Sequence, residues 1–124
     1  FGSRFLMQSA KHPEVRIAHI LEQVEIVTSA IQGTTAEQAR SNVILKLAIE
    51  RAVQIVSEAA KELPRELRGR YQDIHCQAII GIGNLLRHEY YRINPDDIRD
   101  IATVHFPALR AVATKMLVDL NTAD

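Results

Sequence analysis

Apolar residues at Ile17, Ile20, Val24, Val27 and Ile31 recur at alternating steps of three and four, the spacing that stacks side chains on one face of an α-helix. Pro13 suits the first turn of this helix, where a missing N–H costs nothing, and Gly33 suits its end, where a left-handed residue is favoured. After a polar turn from Gly33 to Ala39, a second stripe runs through Leu45, Ile49, Ala52, Val56, Ala59 and Leu63. Lys46, Glu50, Gln54, Ser57 and Lys61 fall on the opposite side, so this reads as a long amphipathic helix. Pro64 ends it, because the residue before a proline is pushed out of the helical region and the ring carries no donor.

Arg65 to Tyr71 reads as a basic connector, followed by a third helical pattern from Asp73 to Tyr91. Asn94-Pro95-Asp96-Asp97 is a helix start: a capping side chain, a proline in the first turn, and acids at the positive end of the helix dipole. Pro107 is expected to kink or split this last helix, after which Leu109, Val112, Met116 and Leu120 restore a buried stripe. No segment alternates with a period of two over the length of a strand. The expected fold is all-α, an up-down bundle of four or five helices with short connections.

Composition narrows the class without naming a partner. A chain of 124 residues suits one domain, and 47% hydrophobic residues with zero formal net charge exclude a disordered charged tail protein. The domain is expected over 13–120, with tails at 1–12 and 121–124; Met7 is a candidate native start. The lone Cys76 has no partner for an internal disulfide, and no second Cys stands at metal-ligand spacing. No apolar run reaches bilayer-spanning length, and the first residues lack the pattern of a signal peptide. A cytoplasmic protein without membrane contact or cofactor is expected.

The third helical pattern has two faces. At about 100° per residue, Ile74, Ala78, Ile82, Leu85 and Leu86 share one side, and Gln77, Gly81, Asn84, Arg87, His88 and Tyr91 the other. The second side offers an imidazole, a guanidinium, an amide and a phenol, with Gly81 expected to allow close approach by another backbone, and Tyr90 on the flank beside Arg87. Taken alone, these residues favour structural roles: a histidine near a helix end caps or packs, Gly81 and Gly83 permit tight helix contact, and Arg87 pairs with the last helical carbonyls.

The segment Asn84-Leu85-Leu86-Arg87-His88-Glu89-Tyr90, however, resembles the signature of the HepT-like branch of the HEPN superfamily, an Asn followed by a His-x-Tyr triplet. Arg51 to Ala60 is similar to that family's second-helix segment ending in Glu-Ala, Ile79 to Asn84 to its approach to the motif, and Phe106-Pro107-Ala108-Leu109 to its final helix. There are two departures. Gly83 stands where the family's Arg-x-x-x-x-His motif places its arginine, and an arginine occurs instead at Arg87, as in a Gly-Asn-x-x-Arg-His form of a sub-branch. The two positions differ by about 40° in azimuth and about 6 Å along a helix. His75-Cys76 replaces the Pro-Trp of many relatives.

The resemblance implies a HEPN-type bundle and metal-independent cleavage of RNA, tRNA or mRNA, at a cleft between two protomers of a homodimer. His88 would act as acid or base, since imidazole titrates near neutral pH. Arg87 would stabilise charge on the phosphorane, and Asn84 would orient His88 or bind phosphate. Glu58 either braces this site or is an ordinary solvated acid. Arg65, Arg68, Arg70 and Arg92 give a weaker basic path for RNA, or only a solvated loop. The resemblance also implies a minimal nucleotidyltransferase antitoxin as partner, which would attach AMP to Tyr90. The competing expectation is a non-catalytic HEPN dimer that serves as the binding subunit of a nucleotidyltransferase. A metal or redox bundle is disfavoured, because no Glu-x-x-His pair occurs.

Overall fold

The computed structural model describes residues 12–71, 74–89 and 94–122, which form helices joined by short turns with no strand among them. Helix α1 spans Pro13–Ile31 and buries Ile17, Ile20, Val24 and Val27. It ends where Gly33 takes a φ of 82°, the left-handed conformation that a side chain disfavours. Helix α3, Val43–Lys61, begins with the Asn42 side chain accepting from the Leu45 N–H, and Leu45, Ile49, Ala52, Val56 and Ala59 are buried as the periodicity requires. Helix α5 is Ile74–Glu89.

Two segments expected to be irregular are helical. Within the supposed polar turn, α2 spans Ala36–Ser41, started by a capping box in which Thr35 and Gln38 satisfy each other's backbone N–H groups. The basic connector is helix α4, Arg65–Arg70, pinned to the core by the buried Leu67.

The expected start at Asn94 is present: its side chain accepts from the Asp96 N–H at 2.8 Å, and α6 covers Pro95–Asp100. A π-helical turn, Ile101–His105, then leads into α7, Phe106–Thr122. The irregularity foreseen at Pro107 therefore falls in the turn before it, where the lost N–H of the proline leaves a carbonyl to be accommodated by wider winding. Contrary to expectation, Asp96–Thr122 is long and apolar enough by length and composition to cross a membrane. Ile98, Ile101, Ala102, Phe106, Leu109, Ala113 and Met116 turn one side of this stretch into the core, as a core helix also requires.

The core lies where α3 packs against α1 and α5 and where α7 packs along α1. Phe106, Ile17, Ile20, Ile79 and Ile101 are its largest fully buried side chains. The Ser57 side of α3 is corrected: Ser57 is 1% exposed and faces α5, not solvent. The outer face of α3 instead carries Val43, Ile44 and Leu47, all exposed, so its polar and apolar sides are less cleanly divided than the sequence pattern implies.

Candidate active site

The position of every candidate group follows from how α5 lies on α3. A Cβ built at Gly83 would stand 2.2 Å from both the Cβ and the Oγ of Ser57, so these two helices touch at a glycine–serine contact that admits no side chain. Around it Ile79, Gly83 and Leu86 form the buried line of α5, while Ala78, Ile82 and Leu85 are only half-buried. The inner face is thus turned from the expected Ile74-Ala78-Ile82-Leu85 line, and the side chain of Ile74 lies outside the described residues. Gly81, expected to be the point of close approach, has nothing within 4 Å of its would-be Cβ and is exposed. The intimate glycine is Gly83, because Ser57 rather than a larger residue faces it.

This orientation leaves Gln77, Gly81, Asn84, Arg87 and His88 on the outer side of α5, as expected, and all are exposed. It also brings Arg87 against α3. One guanidinium nitrogen of Arg87 pairs with the Glu58 carboxylate, and the other donates to the Asn84 Oδ1 at 2.6 Å. Lys61, one turn beyond Glu58 on α3, donates its Nζ to the same Asn84 Oδ1. Glu58 therefore braces Arg87, and of its two sequence readings this is the one the geometry supports. The Arg87 and Glu58 side chains are 40% and 49% exposed, so water still reaches the pair and the interaction orients more than it stabilises.

His88 follows Arg87 directly, so its imidazole leaves the helix about 100° around from the guanidinium. It is exposed, and among the described residues no hydrogen bond ties it to Asn84. Asn84 was expected to orient His88 or to bind phosphate, and both donors found on its carbonyl oxygen are cations. Ser57 donates to the Ile80 carbonyl at 3.4 Å, a bond that adds to the glycine contact in fixing the register of α5 on α3.

The basic path is only partly assembled. Arg65 and Arg68 line a shallow groove with Gln77 and Ile80 of α5, whereas Arg70 pairs within α4 with Glu66 at 3.6 Å. Gln77 lies seven residues before Asn84, about 10 Å along the helix, so the groove leads toward the Arg87 cluster without joining it. Tyr90, Tyr91 and Arg92 lie outside the described residues. Sequence reasoning placed Lys61 on the polar side of α3 and not in the cluster. Its spacing of three from Glu58 was the available signal, because residues that far apart share a helix face.

The Ribonuclease HepT-like family model matches residues 20–116. Several similar proteins carry names that begin "Putative RNase". One, from Caldanaerobacter subterraneus subsp. tengcongensis, is 28% identical over 107 residues, covering 86% of this chain and 96% of the relative. Another, from Methanocaldococcus jannaschii, is 23% identical over 105 residues, covering 85% of this chain and 87% of the relative. No solved structure matches the chain. The matched span runs from α1 to α7 and contains the Glu58, Asn84, Arg87 and His88 cluster, and the chain belongs to the Ribonuclease HepT-like family of the HEPN superfamily.

Proposed function

We propose that this protein is a metal-independent endoribonuclease, the toxin of a toxin–antitoxin pair, working at a cleft between two copies of the chain. The observation that carries the proposal is the oriented guanidinium: Arg87 is fixed by Glu58 and Asn84 beside an exposed His88 at one helix end. In the reaction, the ribose 2′-oxygen attacks the adjacent phosphorus, and the bond from phosphorus to the 5′-oxygen breaks. His88 takes the proton from the 2′-OH, or delivers one to the leaving 5′-oxygen. Two His88 side chains across a dimer would supply both proton transfers at once. Arg87 stabilises the charge that builds on the phosphorane oxygens.

Two features support the paired arrangement. The Gly81, Asn84, His88 stripe is exposed and offers little bulk, so two such faces can approach closely. On the outer face of α3, the exposed Ile44 and Leu47 share a stripe with Arg51 and Glu58 and extend the surface available for pairing. The partner in this reading is a minimal nucleotidyltransferase that transfers AMP to the Tyr90 hydroxyl, placing a phosphodiester next to the cations meant for RNA. The cytoplasm is its place of action.

A second reading has a specific observation in its favour. Gly83 holds no arginine, and Arg87 is already neutralised by Glu58, as suits a non-catalytic subunit that binds a nucleotidyltransferase. Purified protein, free of partner, separates the two by cutting RNA in a His88-dependent manner or leaving it intact. The AMP claim is tested by intact-mass and peptide analysis after co-expression with the neighbouring nucleotidyltransferase, using Tyr90→Phe and Tyr91→Phe separately. Loss of the AMP mass with Tyr90→Phe alone is expected; modification that persists in that variant overturns it.

A further inference from the structure

The amide oxygen of Asn84 has an unusual pair of neighbours. A carbonyl oxygen has two acceptor sites, and here both are filled by cations: the Arg87 guanidinium from one turn later on α5, and the Lys61 ammonium from α3. Two positive groups from different helices thus converge on one oxygen atom at the exposed edge of the cluster. Glu58 offsets one of them. The formal balance of Lys61, Arg87 and Glu58 is one positive charge, which matches a single phosphodiester.

Resting on the ribonuclease reading, we propose that Lys61 is a second phosphate-contacting residue, and that the Asn84 oxygen holds the place of a phosphate oxygen between Lys61 and Arg87. A phosphate oxygen carries a negative charge that an amide oxygen lacks, so it attracts the ammonium and guanidinium groups more strongly, and RNA can displace the placeholder without moving either helix. Lys61 also accounts for the glycine. The Ser57 contact forbids any side chain at position 83, so a second cation cannot come from there. Helix α3 supplies it from the facing side, three residues after the carboxylate that holds Arg87. The ordinary alternative is that Lys61 only complements the negative end of α3, whose last turn it occupies.

The two roles differ in how RNA binding responds to salt. Each phosphate contact to a single strand contributes about 0.7 to the slope of log affinity against log salt. The test uses a 2′-O-methyl RNA oligonucleotide, which binds but cannot be cut through its 2′-oxygen, with fluorescence anisotropy followed across salt concentrations. Lys61→Gln is expected to lower the slope by about 0.7 relative to wild type, and Lys61→Arg to keep it. Lys115→Gln, which removes an exposed charge on α7, is expected to leave the slope unchanged. On a cleavable RNA, Lys61→Gln is expected to lose roughly 10²-fold in cleavage rate, the low end of the range for one removed charge-stabilising donor.

An unchanged slope in Lys61→Gln overturns the assignment, as does wild-type protein that does not bind the oligonucleotide. A slope lowered equally by Lys115→Gln also overturns it, because the effect is then one of overall charge. Failure of the ribonuclease reading has a different signature: wild-type protein binds with a Lys61-dependent slope and yet leaves cleavable RNA intact.

Discussion

Adding one methyl group at Gly83 should destabilise this protein, although the same change at most helical glycines stabilises. The Cβ of Gly83→Ala would lie 2.2 Å from the Ser57 Cβ and Oγ, against the roughly 3.5–4.0 Å at which carbon atoms rest in contact. Both carbons are attached directly to helix backbones, so neither can swing away, and α3 and α5 must part along the largest helix contact in the core. Overpacking of this kind costs about 1–3 kcal/mol, offset by at most about 1 kcal/mol from the better helix propensity of alanine. With the offset taken in full, the expected net loss reaches about 2 kcal/mol, or roughly 8 °C in Tm for a domain of this size.

Urea unfolding followed by far-ultraviolet circular dichroism reads the effect. Ser57→Gly removes both clashing atoms and leaves the Val53 carbonyl at 3.7 Å, an ordinary contact. In that background Gly83→Ala should be neutral or stabilising, giving a coupling of about 2 kcal/mol, within the usual range for touching residues. Gly81→Ala meets nothing within 4 Å inside its own chain, so it should not lower the stability of the single bundle. If Gly83→Ala raises the unfolding midpoint of the wild-type protein, or is equally harmful with and without Ser57, the packing account of α3 and α5 is wrong.

Glu58→Gln should change stability by less than about 1 kcal/mol, because its pair with Arg87 is half-exposed. It should nonetheless slow RNA cleavage by loosening the guanidinium, and an unchanged cleavage rate would remove Glu58 from the site. Asn94→Ala takes away the acceptor of the Asp96 N–H and should cost about 1 kcal/mol in urea unfolding; no loss would mean that the cap adds nothing to α6. Light scattering at micromolar concentration should give twice the 13.9 kDa mass of the chain, whereas a strict monomer would leave no composite cleft.

The long helices were legible because each buries one continuous stripe, as with Ile17-Ile20-Val24-Val27 and Leu45-Ile49-Ala52-Val56. Helices α2 and α4 were not. Six residues give too little periodicity to register, and what defines α2 is the reciprocal Thr35–Gln38 capping, a local signal without a stripe. The rotation of α5 was hidden for another reason: its centre is a glycine, and hydrophobic patterning gives a glycine no weight, although Gly83 is the residue around which α5 seats on Ser57. The same rotation brings Arg87 to Glu58. The motif marks Asn84, Arg87 and His88, while only the crossing of α3 and α5 brings Lys61 to Asn84.

The central claim, that His88 drives a transesterification of RNA, is tested most directly by the ends of the cleaved strands. Purified protein in excess EDTA is incubated with a single-stranded RNA, and the products of wild type and His88→Ala are compared by mass spectrometry. The account predicts 2′,3′-cyclic phosphate and 5′-hydroxyl ends for the wild type, formed roughly 10²- to 10⁴-fold more slowly by the variant, the usual loss for an acid–base group. Intact RNA with the wild type, 5′-phosphate ends, or cleavage that proceeds as fast without His88 would contradict it.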